Sequence, residues 1–250
     1  MPIQRQELEI YLAQLLSTAR FKDYAPNGLQ VEGRSEIQHI VTGVTASLAL
    51  IEAAIELKAD ALLVHHGFFW KNENSCIVRT KKQRIAALLA ADLNLFGYHL
   101  PLDAHEELGN NAQLGKKLGL MASGRCGEQD LVWLGELPVP MSFDTFSRHI
   151  GIALNRKPLA IGAAEQMIRN VAWCTGGAQS YFHEVANLDV DCFITGEASE
   201  FVTHLANESG VSFIAAGHHA TERYGIAALG QHLANEFNLQ HTHLDLDNPV

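Results

Sequence analysis

Apolar positions along the chain change period as they go. Between residues 6 and 20, Leu8, Tyr11, Leu12, Leu15 and Leu16 recur at helical spacing. Pro26-Asn27-Gly28 then forces a turn, because Gly accepts positive φ and Asn tolerates it. From residue 37 short apolar runs alternate with helical stretches. Residues 39–44 predict a strand, 47–58 a helix capped by Ser47, and 59–64 a second strand ending abruptly at His65-His66-Gly67. A helix over 82–91 and a strand over 94–98 lead into His99-Leu100-Pro101-Leu102-Asp103. Strands that are apolar on both faces and alternate with helices predict a parallel sheet covered on both sides.

The rhythm lapses between about 125 and 168. There, residues 130–137 read as a strand with Pro138 and Pro140 after it, and 143–154 as a helix. It then returns. Val41-Thr42-Gly43-Val44 and Val171-Ala172-Trp173-Cys174 open two similar units 130 positions apart. Each continues through a helix, a strand opened by Asp (Asp60 or Asp191), another helix and a strand running into polar residues (Tyr98-His99 or Gly217-His218). The expected architecture is α/β with two related lobes, each a largely parallel sheet flanked by helices. The first lobe covers 1–125 and is completed by 205–250; the second covers 126–204. Four polar clusters then fall at strand carboxyl ends, where open α/β sheets bind ligands, so the site is expected between the lobes at that edge.

Composition narrows the possibilities. Of 250 residues, 47% are hydrophobic and 18% charged, which excludes disordered and collagen-like classes. Eighteen basic residues against 28 acidic give a net charge of −10, so stable nucleic-acid binding is not expected. No apolar stretch approaches the roughly 18 residues of a membrane span, and the first residues lack a secretory apolar region. A cytoplasmic protein with no membrane association is expected. Cys76, Cys126, Cys174 and Cys192 form no Cys-x-x-Cys pair, so they read as buried free thiols rather than a zinc site. Thirteen His are the compositional oddity.

The histidines gather in the strand-end clusters. Neighbours on a strand point to opposite faces, so His65 and His66 suit one shared metal poorly; where Gly67 lets the chain bend, they could face two adjacent metals. Ordinary loop histidines are the alternative. His99 to Asp103, with His105 beyond, sets a carboxylate near two imidazoles, although Asp after a strand is also common turn chemistry. In His218-His219-Ala220-Thr221-Glu222 an imidazole and a carboxylate lie four apart on one helical face, or else Glu222 merely complements the helix dipole. Glu197 in Thr195-Gly196-Glu197, with Glu200 beyond, is a general base or part of a helix cap. Together His65, His66, Asp103, His218 and Glu222 are too many donors for one four-coordinate zinc and suit two metals about 3.5–4 Å apart.

Other features carry less. Arg79-Thr80-Lys81-Lys82-Gln83-Arg84 reads as a solvated helix start before a phosphate site. His241-Thr242-His243 reads as an edge strand, and Asn110-Asn111 as the cap of the helix over 112–118. His39, His149, His183, His204 and His232 receive no role.

Several stretches resemble the family of GTP cyclohydrolase I type 2 homologues: Ala25-Pro26-Asn27-Gly28-Leu29-Gln30-Val31-Glu32-Gly33, Val64-His65-His66-Gly67, His99-Leu100-Pro101-Leu102-Asp103, Leu108-Gly109-Asn110-Asn111-Ala112, Thr195-Gly196-Glu197 and Gly217-His218-His219-Ala220-Thr221-Glu222. The likeness runs from about residue 20 to the C-terminus, and is nearest the short bacterial branch without a long central insertion. It implies a two-lobed α/β subunit, a ring-shaped homohexamer and a dinuclear divalent-metal centre (Zn, Fe, Mn, Ni or Mg). Carried over by motif, His65, His66, Asp103, His218 and Glu222 are the implied ligands, with Glu222 bridging. The implied activity is metal-dependent hydrolysis of a nucleotide-like small molecule, in which two cations lower the pKa of a shared water toward ~7 and stabilise the oxyanion. His99 is then the candidate for proton transfer to the leaving nitrogen, with Glu197 behind it. The alternative function is a metal-handling, delivery or regulatory protein without turnover, served by the same five residues.

Overall fold

The structure, a computed structural model, describes residues 2–250 and divides into two compact units. One runs to Gly109 and resumes over Gly225–Asp247; the other comprises Asn110–Tyr224 and Asn248–Val250. The sequence puts the crossings near 125 and 205. They fall elsewhere because the Asn110–Leu118 helix buries Leu114 and Leu118 in the second unit's core, and Ser212–Ala215 is a strand of that unit's sheet. Among the described residues, no helix is long and apolar enough to cross a membrane.

In the first unit five strands lie in the order Gln240–His243, His39–Thr45, Ala61–His66, Asn94–Gly97 and Gly28–Val31. The first four run parallel; Gly28–Val31 joins the edge antiparallel. Alternate side chains feed two cores. Ile40, Ala61, Leu63 and Phe96 pack with Leu8 and Leu12 of the Arg5–Leu15 helix and with Ile226, Leu229 and Leu233. Val41, Leu62, Val64 and Leu95 pack on the other face with Leu50, Ile51, Ala54, Ile85 and Leu88. Each Val, Leu, Ile or Phe side chain so buried contributes about 1.5–3 kcal/mol, which explains strands that read as apolar runs. Ser47 caps the Leu48–Glu56 helix, its hydroxyl accepting from the Leu50 N–H.

In the second unit the order is Met121–Cys126, Val132–Ser142, Met167–Trp173, Cys192–Thr195, Ser212–Ala215 and Leu159–Ile161. Only the central three are mutually parallel; the strands flanking them pair antiparallel. This sheet is therefore mixed rather than largely parallel. Val132–Ser142 runs through Pro138 and Pro140 instead of stopping before them. The register against the next strand jumps from Glu136–Asn170 to Met141–Ile168, and the prolines, which cannot donate to a ladder, occupy that bulge. Ile150, Phe146 and Leu154 of the Phe143–Leu154 helix fill one core with Ile194 and Trp173; on the other face Phe182 stacks on Phe193, and Phe213 packs at an angle to both.

The repeat has a physical signature. Asp60 Oδ2 accepts from the Gln38 and His39 N–H groups at 2.8 and 2.9 Å. Asp191 Oδ2 accepts from the Arg169 and Asn170 N–H groups at 2.8 Å each. In both units an Asp opening the second strand of a β-α-β-α-β run clamps the start of the first. Asn110 and Asn111 are fully buried, and Asn111 is a tie rather than only a cap: its Oδ1 accepts from the Thr175 N–H, and its Nδ2 donates to the Leu131 carbonyl. Cys174 and Cys192 are buried free thiols, whereas Cys76 is exposed.

Candidate metal centre

In the first unit the Ala61–His66 strand carries its own two histidines to its carboxyl end. Their ring centroids lie 4.5 Å apart despite adjacent strand positions. His99, at the amino end of the Leu100–Ala104 helix, joins them, and one nitrogen from each of His65, His66 and His99 falls within 4.8 Å of the others. His65 is buried, and its Nδ1 lies 2.9 Å from the Tyr98 carbonyl. A carbonyl only accepts, so Nδ1 carries the proton and Nε2 is the nitrogen with a lone pair to offer a cation. Nε2 sits 3.5 Å from Oδ1 of the buried Asp103. His105 stands apart from this arrangement; its Nδ1 accepts from the Glu107 and Leu108 N–H groups.

His99 has a partner that the sequence did not single out. Asp23 Oδ1 lies 2.9 Å from His99 Nδ1, and the same carboxylate accepts from the Tyr24, Ala25 and Leu100 N–H groups and from Asn27 Nδ2. Burial alone would raise the Asp23 pKa, but its bonds to His99, Asn27 and Leu100 outweigh it and hold the carboxyl at about 2. The only local signal was Asp23 ahead of Tyr24-Ala25-Pro26, which reads as an Asx turn.

In the second unit His218 opens the His218–Phe237 helix, and Glu222 follows one turn later, buried. His218 Nε2 is 3.1 Å from Glu222 Oε2 and its Nδ1 is 2.6 Å from Glu197 Oε1. Burial pulls the His218 pKa down, yet Glu222 and then Glu197 overcome it and push it up to about 9. Glu197 thus orients an imidazole, as Asp23 does for His99; it does not cap the Phe201–Ser209 helix, which has no side-chain cap. Gly176, at φ +68°, lies against Glu222, where any Cβ would collide with the carboxylate. The Gly176 N–H donates to Thr221 Oγ1, and its carbonyl accepts from the Gly196 N–H.

The remaining expectations resolve simply. Arg79-Thr80-Lys81-Lys82 opens the Arg79–Ala90 helix; Arg79 is exposed, whereas Lys81 pairs with Glu73 at 3.2 Å. His241 and His243 lie on the edge strand, both bonded to the Thr42 hydroxyl.

Each unit is thus an α/β sheet whose strand ends present imidazoles and carboxylates, with one ring nitrogen of His65, His99 and His218 already bonded. These are donor groups that could hold a metal ion. The chain belongs to the Duf34/NIF3 (NGG1p interacting factor 3) family, whose profile matches residues 3–249. A protein of Neisseria meningitidis serogroup A named GTP cyclohydrolase 1 type 2 homolog is 54% identical, covering 99% of this chain and 100% of that protein. One of the same name from Allochromatium vinosum is 53% identical over 98% of this chain and 97% of its own. Among solved structures, the protein ybgI, described as of unknown function, is 49% identical with a TM-score of 0.95 over 99% of this chain and 100% of that one. TTHA1606 of Thermus thermophilus is 33% identical with a TM-score of 0.89 over 99% and 100% of the two chains.

Proposed function

We propose that the chain is a dinuclear divalent-metal protein that hydrolyses a nucleotide-like small molecule. The proposed ligands are His65, His66, Asp103, His218 and Glu222, with Glu222 bridging. The observation that carries this is the tying of ring nitrogens: with His65 Nδ1 on the Tyr98 carbonyl and His218 Nδ1 on Glu197, each ring turns Nε2 toward a proposed carboxylate ligand, Asp103 or Glu222. Partners of this kind fix the tautomer and raise the basicity of a ligating imidazole. The names of the Neisseria and Allochromatium relatives favour a guanine nucleotide as the first substrate to try.

When bound, two divalent ions acidify water and stabilise negative charge on the substrate. The chain's residues would do the rest. Water adds to the imidazole carbon of the guanine ring, and the C–N bond to that carbon breaks. His99, with Nδ1 held by Asp23, delivers a proton from Nε2 to the leaving nitrogen. A second water then releases the carbon as formate. Glu197 keeps His218 oriented and takes no proton from substrate.

The grouping of His99 with His65 and His66 favours a second reading of that one residue, as a metal ligand. His99→Ala separates the two. Loss of formate release from GTP with metal content unchanged supports proton transfer; loss of one ion per chain supports ligation. A homohexamer is proposed alongside, and light scattering of the purified chain at about six times 27.4 kDa would support it.

A further inference from the structure

We infer that Tyr24 and Trp70 form an aromatic wall beside the His66 and His99 imidazoles that receives a flat nitrogen-heteroaromatic ring. The inference rests on the metal-centre reading and deepens it, because it assigns the holding of the substrate's ring to two named side chains of the first unit.

The geometry is a cluster of four rings. The Trp70 centroid lies 5.1 Å from His99, nearly perpendicular to it, and 6.0 Å from His66. Tyr24 packs 6.0 Å from Trp70 and 5.0 Å edge-on to His99. Tyr24 is nonetheless 54% exposed, so it does little for the core. Aromatic rings beside imidazole donors suit a ligand whose own π-face stacks on them, as bases stack on aromatic side chains in nucleic-acid binding.

The chain spends conformational energy to keep Trp70 there. Residues 67–78 form neither helix nor strand, yet they are pinned throughout. The Phe68 N–H donates to Gln30 Oε1 at 2.7 Å, the Lys71 N–H to the Tyr24 carbonyl at 2.7 Å, and the Glu73 N–H to the Trp70 carbonyl at 2.8 Å. Phe69 sits at φ +67°, a region unfavourable for an aromatic residue, with its N–H bonded to Glu73 and Lys81 over its ring. Phe69 is 37% exposed, so burial does not repay that strain. Its result is to turn the next residue, Trp70, in toward His66 and His99. Backbone strain held this way is characteristic of ligand-contacting loops.

Tryptophan emission tests this directly, because Trp133 and Trp173 are buried and Trp70 is not. The full chain, with its metal content measured on the same samples, is titrated with GTP, ATP, neopterin and inorganic triphosphate. The expected result is quenching by at least one ring compound but not by triphosphate, and none in Trp70→Leu. Trp70→Leu and Tyr24→Ala are each expected to weaken that ring compound at least tenfold with metal content unchanged, while Trp70→Phe and Tyr24→Phe stay within about threefold. No quenching by any ring compound, or wild-type affinity in Trp70→Leu, overturns the wall. A wild-type chain that takes up no metal overturns the metal reading instead, whatever the quenching.

Discussion

Asp23 Oδ1 and His99 Nδ1 lie 2.9 Å apart, though 76 residues separate them in sequence. The pair joins the turn before Gly28–Val31 to the end of the Asn94–Gly97 strand, so the two antiparallel neighbours at the sheet edge build one imidazole's surroundings.

Replacing Asp23 with Asn keeps a hydrogen-bond acceptor and removes the charge. Turnover of the substrate is expected to fall about 10–100-fold with metal content preserved. The Asp23 carboxyl titrates at about 2 in the folded chain against 3.8, a lowered value. Its stabilisation, roughly 2 kcal/mol, is complete above pH 3.8 and vanishes as pH falls through 2. Urea unfolding of wild type and Asp23→Asn should differ at pH 5 and converge toward pH 2.

His218 titrates at about 9, raised from 6.5, so in the metal-free chain it is protonated at neutral pH. That contribution to stability is complete below pH 6.5 and is lost as pH rises through 9. A metal must displace this proton. Chelator competition should show apparent affinity rising about tenfold per pH unit from 7 to 9, then levelling; a plateau already at pH 7 contradicts it.

Gly176→Ala places a methyl group on the Glu222 carboxylate at a backbone φ of +68°. Strain of about 1–2 kcal/mol is expected from the backbone alone. Circular dichroism should stay native while metal content falls by at least one ion per chain. Unchanged metal content would remove Glu222 from the centre.

His241 is held near pH 4, below its usual 6.5, by burial first and then by His243 and His39. The unfolded chain therefore binds an extra proton between these values. Stability is full above pH 6.5 and declines toward pH 4, by about 1–2 kcal/mol after allowance for solvent screening at a partly exposed ring. In His241→Gln, thermal melts should lose that slope.

Much of this was legible because it is local. The Phe143–Leu154 helix announces itself by Phe146, Ile150 and Leu154 at helical spacing. His65, His66 and Asp103 are written in short motifs at strand ends, and His218 and Glu222 are one helical turn apart. The paired clamps of Asp60 and Asp191 gave the repeat its rhythm. What was missed depends on distant partners. Asp23 looks like turn chemistry until His99 meets it, and Asn111 looks like a cap until Thr175 and Leu131 claim its side chain. Pro138 and Pro140 read as strand breakers because a one-dimensional pattern does not reveal a bulge.

The most direct test of the central proposal is metal content per chain by plasma mass spectrometry, on protein purified without added metal and again after brief chelator treatment, for wild type, His65→Ala and Glu222→Ala. The proposal predicts about two divalent ions in wild type, retained through the chelator, at most one in His65→Ala, and both lost from the bridging variant Glu222→Ala. Wild-type protein that neither holds nor takes up metal, or a Glu222→Ala chain that keeps both ions, would contradict it.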